Sequence, residues 1–227
     1  MKNLFLTLII LGVLTKVTFA GPRLMWDKVS TDEKTVCLTF DDGPNKGVTE
    51  KVLDVLKKYN VKATFFVIGQ EVKRYPELVK RIAAEGNEVG NHSYTIGHLL
   101  FLQSAKNMKK QILKTNELIA KNTGAKVKYF RPPNGLMTNT MKEVVEELGL
   151  KPVGVNVFIF DNLISNPKTI SKRILKRIKG GPLILVLHDG YRSKSRKIIA
   201  DVLETIIPEI KNQGYRFSLL DKCVCGQ

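Results

Sequence analysis

Val36-Cys37-Leu38-Thr39-Phe40-Asp41-Asp42-Gly43-Pro44 runs from apolar residues into two adjacent carboxylates and then into a chain break. Residues 36–40 have the composition of a buried strand, and Gly43-Pro44 stops it in a turn. Carboxylates at a strand's last residues lie where the chain leaves the sheet, and in an α/β fold that is where sites are built. Successive side chains of a strand face opposite ways, so Asp41 and Asp42 share a site only if the backbone bends. Gly43-Pro44 is the expected source of the bend. Two ionised carboxylates this close call for a metal or a basic side chain beside them. Over these residues alone, an Asp-Gly turn with a solvated Asp would look the same.

Downstream, strand and helix patterns alternate. Residues 49–60 form an amphipathic helix with Val52, Leu53, Val55 and Leu56 on one side. Residues 63–68 are a strand closed by Gly69, and Pro76 begins a helix through Leu78, Val79 and Ile82 to Gly86. Residues 88–92 are short enough for a strand that delivers His92 to its end. Residues 104–122 are the longest helical pattern, with Met108, Ile112, Leu113 and Ile119 as its apolar stripe. Residues 127–130 run into Arg131-Pro132-Pro133-Asn134-Gly135, where two prolines exclude regular structure. A helix over 140–148 precedes a strand over 153–159, and Ser165 or Thr169 caps a basic helix to Ile178. Leu183-Ile184-Leu185-Val186-Leu187 is apolar throughout, a strand covered on both faces, and it leads into His188-Asp189-Gly190. A helix over 198–210 and a strand over 215–218 close the chain.

This alternation predicts βα units and a mainly parallel sheet, closed into a barrel or open and doubly wound. The strands end in Asp41-Asp42, His92, Arg131, Asp161 and His188. A barrel gathers such ends around one mouth, so the expectation is an α/β fold, a distorted and incomplete (β/α) barrel.

Residues 1–20 have a basic start, an apolar core over 4–14 and Thr18-Phe19-Ala20 before the cut, the pattern of a secretory signal peptide. Residues 21–227 then form one domain, secreted and exposed to an oxidising medium. Of three cysteines, Cys37 is expected to bridge to Cys223 or Cys225, tying the C-terminus to the first core strand. The net charge of +16 falls to +14 once Lys2 and Lys16 leave, with 35 basic residues against 21 acidic. That balance favours an anionic surface or cell-surface polymer as a neighbour, and secretion argues against nucleic acid. A monomer is expected.

His92, His98 and His188 are the only histidines. His92, near a strand end, is a metal ligand to join Asp42. His188, at the end of the most apolar strand, can turn one ring nitrogen to the mouth while a carboxylate, Asp161, orients the other. Each of these residues also has a structural reading, a satisfied core histidine or a solvated loop Asp. Asn91-His92-Ser93 matches a glycosylation acceptor, and its place at the mouth predicts that it is unmodified.

Together these motifs resemble the polysaccharide deacetylases of carbohydrate esterase family four, the group with the NodB-homology domain. Residues 39–44 resemble its first motif, His92-Ser93 the start of the second, residues 131–135 the third, Asp161 part of the fourth and residues 185–188 the fifth, in the family's order. The resemblance implies a distorted (β/α) barrel and metal-dependent removal of acetyl from N-acetylglucosamine units of a chitin-like polymer. It implies that Asp42 and His92 hold a divalent zinc or cobalt ion that activates water and polarises the acetyl carbonyl. It makes Asp41 the base, kept ionised by Arg131, and the backbone N–H of Asn134 an oxyanion donor. His188 becomes the acid that protonates the leaving amine, oriented by Asp161, and Leu187, Pro132 and Tyr94 line the substrate pocket.

The chain departs from the family pattern where the second metal-binding His belongs, four residues after His92. There it has Ile96. His98 lies about 120° round a helical turn from that face and substitutes only if the loop at Gly97 is irregular. With structural zinc worth about 10–16 kcal/mol, losing one of four ligands costs about 3 kcal/mol, a hundredfold or more in affinity. Asn134 stands where an aromatic is usual, Phe158 replaces an Asp, and Asn162 replaces a Trp. Three readings follow: a deacetylase with an impaired metal site, a non-enzymatic carbohydrate-binding protein on the same fold, or a metal-independent amidase or esterase using Asp41 and His188.

Overall fold

The computed structural model describes residues 23–24, 34–95, 99–178, 180–190 and 197–223. The expected signal peptide, Ile96, Gly97, His98 and Cys225 lie outside them. In chain order the elements are β1 (Arg23–Leu24), β2 (Thr35–Asp41), α1 (Thr49–Lys58), β3 (Thr64–Val67), α2 (Gly69–Arg74), α3 (Pro76–Ala84) and β4 (Glu88–Asn91). There follow α4 (Ala105–Thr123), β5 (Tyr129–Phe130), β6 (Leu136–Met137), α5 (Asn139–Glu147), β7 (Lys151–Pro152), α6 (Pro167–Arg177), β8 (Leu183–His188), α7 (Ile199–Asn212) and β9 (Arg216–Ser218).

Every pairing in the main sheet is parallel, in the order β7-β5-β4-β3-β2-β8. Parallel strands with helical crossovers must be covered on both faces, and β2 is buried along its whole length. β8 returns beside β2, with Asp41 level with His188. β9 takes the part of β2 that β3 leaves free, pairing with residues 35–37. One bridge, Val157 to Leu185, links the outer end of the sheet back to β8. The fold is therefore the expected α/β barrel, curled but incompletely closed.

The expected strand over 153–159 does not form: β7 stops at Pro152, and residues 153–159 keep only isolated bridge residues, with Val157 paired to Leu185. The Arg131 side chain takes the carbonyls of Val153 and Gly154 that a ladder would use. Asn156 substitutes its side chain for backbone, accepting from Ile184 N and donating to Pro182 O.

Helix signals were legible to within a residue or two. Ser104 caps α4 by accepting from Asn107 N, and Gly124 ends it in the left-handed conformation at φ 69°. Its stripe is Met108, Ile112, Thr115 and Ile119, whereas Leu113 is exposed. α6 is capped by Asn166, which accepts from Thr169 N, rather than by Ser165 or Thr169. Gly69 does not merely close β3; it begins the short α2.

The core lies between the barrel and its helices, with Phe40 stacked on Phe65 at 4.9 Å between ring centroids. Of the two pairings left open for Cys37, the structure forms the disulfide with Cys223. Among the described residues no helix is long and apolar enough to cross a membrane.

Candidate active site

The strand ends converge as a barrel requires. Asp41 ends β2 and is buried, and its Oδ1 accepts from Arg131 Nη1 at 2.8 Å. The same Nη1 donates to Thr39 Oγ1 at 2.7 Å, Nη2 to Gly154 O, and Nε to Val153 O. The guanidinium lies 4.2 Å from the Phe66 ring centroid, so it is fixed on every side. Burial would push the Asp41 carboxyl up, but Arg131, with lesser help from His92 and His188, holds it below the usual carboxylate range. Asp41 is thus ionised at neutral pH.

Asp42 turns back into the same site because its own backbone is left-handed, with φ 72°. The bend sits one residue before Gly43-Pro44, where the sequence pattern placed it. A side chain at Gly190 would collide with Asp42, its Cβ falling 2.2 Å from the Asp42 Cβ, so Gly190 makes room for this conformation.

His92 follows β4, and its Nδ1 lies 2.8 Å from Arg131 O. A carbonyl only accepts, so Nδ1 carries a proton and Nε2 is left to face the carboxylates. Nε2 stands 3.5 Å from Asp42 Oδ1 and 3.9 Å from Asp41 Oδ2. Two ligands of one tetrahedral ion with bonds of about 2.0–2.1 Å stand about 3.4 Å apart. The Asp42–His92 spacing therefore fits one divalent cation, with the Arg131 carbonyl holding the imidazole so that Nε2 is presented to it. Among the described residues no third His, Cys, Asp or Glu joins them in a metal-holding group.

His188 ends β8. Asp161, fully buried, accepts from His188 Nδ1 at 2.7 Å through Oδ1 and from the His188 backbone N–H at 3.0 Å through Oδ2. Burial opposes charge on the ring, but Asp161, aided by Asp41 and Asp42, raises its pKa to about 9. The free Nε2 of His188 is therefore a protonated donor at neutral pH.

These groups share a cavity of about 570 Å³, lined by Asp41, Asp42, His92, Arg131, Asn134 and His188. Asn134 has a left-handed backbone at φ 60°, inside the 3-10 turn after Arg131-Pro132. The remaining wall residues are not those expected. Leu187 is buried in the core; strand alternation puts Val186, on the face of His188, in the lining instead. Pro132 is buried and Pro133 lines the cavity. Tyr94 packs under Lys114, whose Nζ is 3.8 Å from its ring centroid, and is not among the lining residues. Asn91 is fully buried with Nδ2 spent on Ile112 O and Asn116 Oδ1, so no side-chain amide is presented for a glycan.

The structure adds residues that motif reasoning passed over. Asp189 is fully buried, its Oδ2 accepting from Thr49 Oγ1 at 2.6 Å while Oδ1 has no partner among the described residues. Burial raises its pKa to about 7 despite the Thr49 bond. A side chain at Gly43 would collide with its carboxylate, which braces the turn carrying Asp42. Its position directly after His188 was the available signal. Phe158, Phe160, Leu163 and Arg177 line the outer cavity. No sequence spacing links Arg177, at the end of α6, to that place.

Comparison with known proteins bears on the family and the fold. The family model described as polysaccharide deacetylase matches residues 28–153. A Bacillus cereus peptidoglycan-N-acetylglucosamine deacetylase is 37% identical over 195 residues, covering 85% of this chain and 88% of that protein. The Listeria monocytogenes peptidoglycan-N-acetylglucosamine deacetylase PgdA is 40% identical over 189 residues, 83% of this chain, which spans only 38% of that relative's length. Among solved structures, a peptidoglycan N-acetylglucosamine deacetylase in complex with a naphthyl N-oxidanyl-benzamide has a TM-score of 0.79 at 34% identity, covering 86% of this chain and 90% of that one. A family-four acetyl xylan esterase from Clostridium thermocellum, in complex with a cobalt ion, has a TM-score of 0.74 at 34% identity, with 84% and 90% covered. A pseudoenzyme of the same family from Bacillus anthracis has a TM-score of 0.76 at 29% identity, with 85% and 66% covered.

Proposed function

The chain belongs to the polysaccharide deacetylase family, and on that premise we propose that it is a secreted hydrolase acting on the acetamido groups of an N-acetylated amino-sugar polymer. The family resemblance by itself implies a chitin-like polymer; the relatives are named for peptidoglycan, and we take a peptidoglycan-type glycan as the substrate. The observation that carries the proposal is the pairing, in one cavity, of a carboxylate held ionised by a buried Arg with an imidazole held protonated by a buried Asp.

A divalent ion held by Asp42 and His92, zinc or cobalt, would supply an activated water and polarise the acetyl carbonyl. Asp41 is the base that takes the proton of the attacking water, and Arg131 keeps it ionised until then. Negative charge developing on the acetyl oxygen falls to the backbone N–H of Asn134. His188 donates its Nε2 proton to the departing sugar amine, while Asp161 accepts from its Nδ1 and fixes the ring. Val186 offers an apolar wall for the acetyl methyl, and the exposed Phe160 and Leu163 offer faces for a sugar ring at the mouth.

The short donor set supports a second reading. Asp42 and His92 are two protein ligands, Ile96 stands where a third belongs, and a structural neighbour is a pseudoenzyme. On this reading the chain binds the glycan without hydrolysing it. The readings separate on chelator-treated protein titrated with zinc or cobalt in a calorimeter, then assayed for acetate released from peptide-free peptidoglycan glycan and from chitooligosaccharides. One-to-one metal binding with turnover supports the deacetylase; no binding heat and no acetate refutes it.

A further inference from the structure

The outer half of the cavity carries a cation that the hydrolytic scheme does not use. Arg177, the last residue of α6, lines the cavity beside Phe158 and donates a guanidinium N–H to the Phe158 carbonyl. The other Arg in the lining, Arg131, is buried and committed to Asp41, Thr39 and two carbonyls. Arg177 is exposed, and among the described residues no ion pair occupies it. A guanidinium has five N–H donors in a fixed fork, so donors remain for a ligand.

Behind Arg177 the helix is uniformly basic. α6 contains no Asp or Glu, and Lys168, Lys172, Arg173 and Lys176 are all exposed. At 100° per residue these four and Arg177 cover about half the helix circumference, while Ile170, Ser171 and Ile174 face the protein. The bland account is a solvated face with cations at a helix C-terminus, each worth only a few tenths of a kcal/mol. It explains Lys176 and Arg177 as helix-end residues, but it does not require Arg177 to turn onto the cavity. The two carboxylates of the lining, Asp41 and Asp42, belong to the metal end, where Arg131 and His188 offset their charge, so the cation without an acidic partner in the lining is at the α6 end.

We propose that Arg177, with the acid-free face of α6 behind it, binds an anionic substituent of the polymer, a carboxylate carried on or beside the N-acetylated sugar. The chain then selects an anionic amino-sugar polymer over a neutral one of the same backbone. Bidentate guanidinium–carboxylate geometry gives the recognition, and the lysines of α6 hold the flanking charges of the strand. The proposal rests on the cavity being the glycan site, but not on hydrolysis occurring there.

The test compares two hexasaccharides of one backbone, a neutral N-acetylglucosamine oligomer and one whose alternate sugars carry a 3-O-lactyl carboxylate. Affinity is measured by calorimetry and kcat/KM by acetate release, on the full chain and its Arg177→Gln and Arg177→Lys variants. Wild type should favour the anionic oligomer by about tenfold, the low end for a charge-assisted pair at a part-exposed site. That preference should shrink between 50 and 500 mM salt. Arg177→Gln should bring the ratio close to one, and Arg177→Lys should keep part of it. Equal affinity of wild type for both oligomers, or an unchanged ratio in Arg177→Gln, overturns the proposal. Binding preference without acetate release sinks the deacetylase reading alone, and acetate release without preference sinks this proposal alone.

Discussion

Replacing Asp161 with Asn separates charge from shape at the acid end of the site. In the wild type both Asp161 oxygens accept, one from the His188 ring and one from its backbone N–H. An Asn has one accepting oxygen, so one of these bonds is lost or the ring must present a lone pair in place of its proton. The Asp161 charge is the main influence raising His188 to about 9 against burial. The ordinary value is about 6.5, and the difference corresponds to about 3 kcal/mol favouring the charged ring. With the charge removed, burial is no longer offset by its nearest partner, and the pKa falls to about 6.5 or lower. At pH 8 the protonated fraction then drops from about nine-tenths to about one-thirtieth, a thirtyfold loss of competent acid before any misorientation. Two measurements check this: the alkaline limb of kcat/KM for acetate release, and an NMR titration of the ring C–H signals in the metal-free protein. The titration reads His188 whether or not the chain turns over. An Asp161→Asn protein whose ring still titrates near pH 9 would refute the reasoning.

Ile96→His should raise zinc or cobalt affinity by about a hundredfold or more, read by competition with a chelating dye; unchanged affinity would mean that Ile96 does not stand beside the Asp42–His92 pair. Asp189, with its pKa raised to about 7, gives stability that is full below its unfolded value near 3.8 and is lost as pH rises through 7. Asp189→Asn should flatten that loss, which runs at up to about 1 kcal/mol per pH unit, in denaturant melts between pH 5 and 8. Cys223→Ser opens a loop spanning 186 positions and should cost about 2–5 kcal/mol in the same melts, with wild type in reductant matching it.

The order of strand-end motifs was legible because it needs only short-range rules. Apolar runs end in turn residues, and in a parallel barrel those ends must meet. Asp41, Asp42, His92, Arg131, Asp161 and His188 do converge. The strand over 153–159 was not legible, because the carbonyls that would form its ladder are taken by Arg131, 22 and 23 residues away in sequence. The pocket wall failed for a similar reason. The resemblance supplied Leu187, whereas alternation along the strand puts Val186 on the face of His188, and it is the convergence of the strand ends that turns that face to the cavity.

By itself, then, the sequence determined the alternating α/β architecture, the chemistry of each strand end and the excess of positive charge, since these follow from residue type and period. Tertiary structure alone decided that Asp42 folds back through a left-handed backbone, that Arg131 O fixes the His92 tautomer, that Asp189 is buried with one oxygen unpaired among the described residues, and that Arg177 reaches the cavity. Each depends on groups far apart in the chain meeting where water is excluded, and no local pattern encodes such a meeting.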